Sequence, residues 1–126
     1  MAILLLMQGA LAEAVTGIYL GWASIGDSKQ IYKMVMSIGF NPYYNNTEKT
    51  AEPWLLHSFE KDFYDEELRL LVCGYIRPEA NFESLEALVK RIHEDAAVTK
   101  AALTDKAFAK YEQDRFLMPS TLHADQ

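Results

Sequence analysis

The sequence contains a single cysteine among its 126 residues, so no disulfide can form within the chain. This residue, Cys73, lies in an apolar run, where a buried and unreactive thiol is the more common arrangement. Glycine and proline are also scarce, with six and four residues, which excludes collagen-like and low-complexity chains. Half of the residues are apolar, so a chain of this length predicts one domain with a modest core. The lack of disulfides fits a reducing compartment, and we expect a cytoplasmic protein.

Positively charged residues are few, since the sequence has 12 Lys and Arg residues and 18 Asp and Glu residues. Binding to the phosphates of nucleic acids requires a basic surface, so no nucleic-acid partner is expected. Residues 1–7 are strongly apolar, but this run is short for a membrane span and no Lys or Arg precedes it. We therefore expect no membrane partner, and we expect a monomer.

Alternating apolar and polar residues predict strands over four segments, which are residues 16–24, 31–39, 51–59 and 66–76. The sequence Gly26-Asp27-Ser28 predicts a turn between the first two segments, so these form a hairpin. Residues 66–71 are also compatible with the start of a helix, and a strand is the prediction we adopt.

The third segment carries side chains that differ sharply between its two faces. Glu52 and Trp54 fall on one face of the predicted strand, and Leu55 and His57 fall on the other. Pro53 cannot donate a hydrogen bond to a neighbouring strand, so we expect it at a strand start or a sheet edge. Large apolar side chains here and in the preceding segments are interpreted as core without chemistry, namely Trp22, Met34, Met36 and Trp54.

The period changes to that of a helix after residue 81, because apolar residues recur at steps of three and four from Phe82 to Ile92. Asn81 is the predicted N-cap, and a second helix is predicted over residues 96–111. Residues 114–126 are expected to form a flexible tail. Strands followed by helices predict a mainly β fold with C-terminal helices.

Separated motifs along residues 16–97 combine into a pattern far more specific than any single short motif. These motifs are Gly17-Ile18-Tyr19, Trp22-Ala23, residues 33–39, Asn41-Pro42-Tyr43-Tyr44, Phe63-Tyr64, residues 74–79 and residues 81–86. In this order and spacing they resemble riboflavin kinase, also called flavokinase. Residues 48–57 look most like the plant form, in which the kinase is the C-terminal half of a bifunctional FMN hydrolase and riboflavin kinase.

The resemblance implies a six-stranded Greek-key barrel with helices packed across it. It also implies an enzyme that transfers the γ-phosphate of ATP to the riboflavin 5′-hydroxyl and so makes FMN. Riboflavin or FMN and ATP or ADP are then the expected partners, with Mg²⁺ accompanying ATP as the expected cofactor.

The resemblance further implies a role for Glu52 as the catalytic base, although a lone glutamate at a strand start is more often a solvated side chain. The other implied site residues contact the nucleotide, namely Leu55, His57 and Tyr64, or the flavin, namely Arg77, Ala80 and Phe82. Ordinary alternatives exist for three of them, because His57 can be a packed strand histidine, Arg77 a surface arginine and Phe82 a core residue.

Two departures from the family pattern stand out. Asp65 occupies a position where the family commonly has glycine after Phe63-Tyr64. The family's Gly-rich loop and its Pro-Thr-Ala-Asn motif, whose Thr and Asn hold the magnesium and the ATP phosphates, do not occur in this sequence. The resemblance therefore assigns no metal ligand to this chain.

Residues 1–15 form an atypical apolar segment without Asn, Thr or Pro, so we expect an incomplete barrel and a kinase-like domain over residues 16–113. Residues 3–7 could supply a strand to the open barrel edge, or the segment could reflect an alternative start or a mis-joined exon. Two alternatives to an active kinase follow. One is a non-catalytic flavin- or partner-binding remnant that lacks the Mg-ATP segment, and the other is a product that does not fold stably.

Overall fold

The structure, a computed structural model, describes residues 14–40, 49–59 and 66–119 together with the backbone of residues 5–6. Its strands are β1 (Leu5–Leu6), β2 (Gly17–Ile25), β3 (Tyr32–Phe40), β4 (Lys49–Leu55) and β5 (Leu68–Arg77). They form one antiparallel sheet in the order β1-β4-β3-β2-β5. Two α-helices follow, α1 (Leu85–Ala102) and α2 (Lys106–Ala109), and then two 3₁₀ turns at Lys110–Gln113 and Arg115–Leu117. The predicted class, mainly β with C-terminal helices, is confirmed.

The predicted hairpin is formed by β2 and β3, which pair from Gly17 opposite Ile38 to Ala23 opposite Tyr32. Gly26 begins the connecting turn with a φ of 53°, a left-handed conformation that glycine adopts without steric cost. Its N–H donates to the Glu67 carbonyl at 2.7 Å, so the turn is also tied to the start of β5.

Strand alternation gives the sheet two distinct faces. On the core face, buried side chains from β2, β3 and β4 form one cluster, namely Ala23, Ile25, Met34, Met36, Ile38, Ala51 and Leu55. On the other face, which we call the cleft face, paired positions place Val35 between Leu20 and Trp54, and Ser37 between Ile18 and Glu52. Fully burying a Met, Ile or Leu side chain contributes about 1.5–3 kcal/mol, so the cluster on the core face supplies much of the stability.

Strand β4 is shorter than predicted, because it ends at Leu55 rather than at residue 59. The N–H of Leu56 still donates to the carbonyl of Lys33, the next residue along β3, but the N–H of His57 turns back to the Leu55 carbonyl, and there the chain leaves the sheet. On its far side β4 pairs with β1, where Leu5 lies opposite Ala51 and Leu6 opposite Thr50. Residues 5–6 thus occupy the edge position that the sequence suggested for residues 3–7. Pro53 lies beyond that pairing, so within the described ranges it sits on a locally open edge, as expected.

Helix α1 differs from the prediction at both ends. Its N-cap is Ser84 rather than Asn81, because the Ser84 Oγ accepts a hydrogen bond from the Ala87 N–H. The predicted boundary before residue 96 is also wrong, since no glycine or proline interrupts this stretch and α1 continues to Ala102. The chain turns at residues 103–105, and Asp105 caps the short helix α2.

The C-terminal elements cover one end of the cleft face, where Leu103 and Leu117 bury Leu20 and Trp22. The buried Ser24 hydroxyl donates to the Leu117 carbonyl at 2.6 Å, which fixes the last 3₁₀ turn to β2. Residues 114–119 are therefore part of the packed domain. The flexible tail that the sequence predicted from residue 114 does not include these residues. Residues 120–126 lie outside the described residues.

In the ranges that the structure describes, the N-terminal segment contributes only the two residues of β1 to the sheet. The sheet therefore has a short strand at one edge and β5 at the other. No helix in the same ranges is long and apolar enough to cross a membrane.

Candidate functional site

A cavity of about 540 Å³ lies between the cleft face and helix α1, within the range of small-molecule sites. We call it the cleft. The sheet, the connection after β5 and helix α1 each contribute a wall, and the lining residues are Ile18, Val35, Ser37, Glu52, Trp54, Arg77, Glu79, Ala80, Phe82, Leu88, Ile92 and Asp95.

Four of the seven residues predicted for the site line this one cavity, namely Glu52, Arg77, Ala80 and Phe82. They come from parts of the chain about 25 residues apart, and the pairings of β4 with β3, of β3 with β2 and of β2 with β5 bring them together. The arrangement joins a carboxylate, a guanidinium and an aromatic ring around a space that can hold a ligand.

Glu52 reaches the cleft because strand β4 directs alternate side chains to opposite faces. Its neighbours Ala51 and Pro53 are buried on the core face, whereas Glu52 is exposed and lies opposite Ser37 of β3. Pro53 holds the residue before it in an extended conformation, which fixes the backbone from which the carboxylate projects. The carboxylate therefore faces the cleft from a rigid strand.

Arg77, the last residue of β5, is held on several sides. Its Nε donates to Asp95 Oδ1 at 3.0 Å and its Nη2 to Asp95 Oδ2 at 2.7 Å. Its Nη1 donates to the Pro78 carbonyl at 3.2 Å, and its Cζ lies 5.7 Å from the centre of the Phe82 ring. The hydrogen bonds to Asp95 raise the pKa of Arg77, and partial burial opposes this only in part. The guanidinium is therefore a fixed positive charge in the wall of the cleft.

Glu79 adds a further carboxylate on the same wall. Its Oε1 lies so close to Gly39 of β3 that a Cβ at this glycine would stand 2.1 Å from it. The lack of a side chain at residue 39 thus makes room for Glu79. In total the cleft wall carries three acidic side chains and one arginine, a balance that suits an uncharged ligand better than an anion.

Of the residues predicted to contact a nucleotide, the two that the structure describes, Leu55 and His57, do not line the cleft. Leu55 is 1% exposed and belongs to the core face. His57 lines a second cavity of about 420 Å³, together with Trp54, Leu56, Ser58, His93, Ala96 and Lys100. The His57 ring also packs 4.9 Å from both Tyr32 and Phe59, measured between ring centres. Tyr64 lies outside the described residues.

Two further lining residues, Trp54 and Asp95, carry a signal in the sequence for a place in the cleft. Trp54 was interpreted as core, which is wrong, because it is half-buried on the cleft face and lines both cavities. Its position two residues after Glu52 was the available signal. Asp95 continues the apolar stripe of α1 at a helical step after Leu88 and Ile92, and an acid in such a stripe marks a buried polar contact.

The described residues contain no group of three or more His, Cys, Asp or Glu side chains that could hold a metal ion. We assign no reaction step to a metal ligand among the described residues.

A single antiparallel sheet, packed as core on one face and lining a ligand-sized cavity on the other, is an architecture typical of small-molecule-binding β domains. The family model described as flavokinase, riboflavin kinase, matches residues 3–103 of this domain. The chain belongs to the riboflavin kinase family.

Individual relatives agree with this assignment. The chain is 57% identical over 107 residues to the bifunctional riboflavin kinase/FMN phosphatase of Arabidopsis thaliana, covering 85% of this chain but 28% of the relative. It is 47% identical over 109 residues to riboflavin kinase of Homo sapiens, covering 86% of this chain and 70% of the relative. The crystal structure of riboflavin kinase from Trypanosoma brucei matches with a TM-score of 0.67 and 29% identity, over 79% of this chain and 62% of that structure.

Proposed function

We propose that this chain is a riboflavin kinase, which transfers the γ-phosphate of ATP to the 5′-hydroxyl of riboflavin to give FMN and ADP. One observation carries the proposal: Glu52 lines the same cavity as Arg77, Ala80 and Phe82. A base and a flavin-sized binding surface thus share one space, as a reaction on the alcohol of a bound flavin requires.

The cleft suits riboflavin in shape and charge. Phe82, Leu88 and Ile92 offer apolar surface to the fused rings of the flavin, and the donors of Arg77 suit their polar edge. Riboflavin is uncharged, so the three carboxylates of the cleft do not repel it. We place the ring system between the residue 77–82 connection and α1, with the ribityl chain extending toward Glu52.

In the reaction, the 5′-oxygen of riboflavin attacks the γ-phosphorus of ATP while the carboxylate of Glu52 accepts the hydroxyl proton. The new bond joins the 5′-oxygen to phosphorus, and the bond between phosphorus and the ADP oxygen breaks. Little covalent work falls to the protein in such a transfer, so its main contributions are alignment and the position of the base.

We place the nucleotide in the second cavity, which has His57, His93 and Lys100 in its wall and therefore offers nitrogen groups to phosphates. Trp54 lines both cavities, so the two substrates would lie on either side of one side chain. Leu55 contributes through its main chain in this arrangement, because its side chain belongs to the core face.

The proposal includes Mg²⁺ with ATP, a cytoplasmic location and a monomer. The family's dependence on ATP supports Mg²⁺ as the companion of ATP, and the single cysteine supports the cytoplasmic location.

The test is FMN formation from riboflavin, ATP and Mg²⁺, followed by chromatography, in the wild-type chain and in Glu52→Gln. We expect Glu52→Gln to lower turnover about 10²- to 10⁴-fold, because a positioned base contributes by this factor. Riboflavin binding, followed by quenching of flavin and tryptophan emission, should be retained in this variant.

Glu86→Gln is the matched control, since it removes one exposed carboxylate from the first turn of α1, outside the cleft, and should leave turnover unchanged. If the wild-type chain quenches flavin emission but forms no FMN, the chain is not a riboflavin kinase. The lack of both would remove the flavin site as well.

A further inference from the structure

Two charged side chains that line the cleft, Glu79 and Asp95, have no part in the reaction described above, and of these only Asp95 is buried. Asp95 of α1 is 4% exposed, although a carboxylate is among the groups least often buried. Burial of an unpaired carboxylate is strongly unfavourable, so its place here depends on the groups around it.

Arg77 provides the main compensation, through a side-on fork in which Nε and Nη2 each donate to one oxygen of Asp95. Both side chains are largely buried, since 11% of the Arg77 side-chain surface and 6% of the Asp95 side-chain surface are exposed, against 4% for the whole Asp95 residue. Such a pair fixes the plane of the guanidinium as well as its position, because two parallel hydrogen bonds leave no free rotation.

Arg91 approaches the same carboxylate from one turn earlier in α1, with its Nε 3.7 Å from Asp95 Oδ1. This distance is too long for a hydrogen bond, and Arg91 does not line the cleft. Asp95 therefore has one partner that faces the ligand space, Arg77, and one that faces away from it.

The orientation imposed by Asp95 also determines the contact with Phe82, whose ring lies under the guanidinium. The edge of Arg77 that carries Nη1 is turned to the Pro78 carbonyl, so the connection that forms the cleft wall is held by the same side chain. Asp95 thus links α1 to the loop that faces the ligand.

We propose that Asp95 is a positioning residue for flavin binding, which acts by holding the Arg77 guanidinium in one orientation in the cleft. This inference rests on the proposed function, because it takes riboflavin as the ligand. Arg77 contacts the flavin, and Asp95 removes the rotational freedom that Arg77 would otherwise lose on binding.

The experiment is a double-mutant cycle on riboflavin affinity, measured by fluorescence quenching, with Asp95→Asn, Arg77→Gln and the double variant. Each single variant should weaken binding about tenfold, in the range expected for groups in one hydrogen-bond network. The double variant should bind no more weakly than Arg77→Gln alone, because Asp95 acts only through Arg77. In turnover, the KM for riboflavin should rise while the KM for ATP stays unchanged.

Glu86→Gln serves again as the charge control, and thermal unfolding of each variant reports folding. If Asp95→Asn leaves Arg77 unpaired and unfolds the chain, the double variant removes both charges and can still be compared with Arg77→Gln. Unchanged affinity in Asp95→Asn, or losses that add in the double variant, would overturn the inference and leave the proposed function intact. A wild-type chain that does not bind riboflavin would overturn both.

Discussion

The core face and the cleft face are built from the same three central strands, yet they are filled to different degrees. In β4, Ala51 and Leu55 are each 1% exposed, whereas Glu52 between them is exposed to the cleft. Across the sheet, Met34 and Ile38 are buried on the core face, while Ser37 lines the cleft. A single strand therefore supplies both stability and chemistry by alternation alone.

The difference also separates the part of the sheet that stabilises the fold from the part that lines the cleft. The core face is continuous, so its burial does not depend on the cleft being filled. In the ranges that the structure describes, the C-terminal elements pack one end of the cleft face, and the other end lines the cleft. Substitutions on the core face should change stability, and those at the open end should change binding.

The largest expected effect on stability comes from Leu55→Ala on the core face. The change leaves a cavity beside Met34 and Ile25 and should lower the free energy of unfolding by about 2–5 kcal/mol. Urea unfolding measures it, with Leu56→Ala as the control, because Leu56 is only half-buried. A loss below about 1 kcal/mol would break the comparison, since the core face would then be no better packed than the cleft face.

A smaller effect is expected at the covered end of the cleft face, from Ser24→Ala. The Ser24 hydroxyl donates to the Leu117 carbonyl and accepts from the Arg69 Nε at 2.9 Å, and all three groups are buried. Its loss leaves buried polar groups with fewer partners and should cost about 1–3 kcal/mol.

The matched control for this prediction is Ser28→Ala, because Ser28 is exposed and only accepts a hydrogen bond from the Gln30 N–H. Equal melting temperatures for the two variants would show that the last 3₁₀ turn is not held to β2 by Ser24.

The smallest expected effect is chemical, at Cys73, under the C-terminal elements. Burial, with a lesser contribution from the negative charge of Asp114, raises the pKa of the Cys73 thiol. The thiolate is the reactive form, so at pH 8 the folded chain should react with iodoacetamide more slowly than the urea-unfolded chain.

This difference should narrow as the pH rises, because the folded thiol ionises at higher pH than the unfolded one. Because the thiol of the unfolded chain ionises first, the free energy of unfolding falls as the pH rises above the pKa of the unfolded thiol. Equal labelling rates at pH 8 would show that the covered end of the cleft face is open to solvent.

The strands and the helical period could be predicted because both rest on local alternation of apolar residues, and β2, β3 and β5 lie within two residues of the predicted bounds. The end of β4 could not be predicted, because the chain turns back there through a hydrogen bond from the His57 N–H to the Leu55 carbonyl, which the apolar alternation does not indicate. The cap at Ser84 was missed because Asn81 and Ser84 are both good capping residues, and only packing selects between them.

The sequence by itself determined the alternation of the strands, the apolar stripe of α1 and the family motifs, all of which are properties of neighbouring residues. Only the tertiary structure decided that Glu52 faces the cleft with Arg77, that Trp54 lines two cavities and that Asp95 is buried beside a guanidinium. The physical reason is that burial and ion pairing depend on which strands and helices meet, and strand pairing over long separations is not encoded in local spacing.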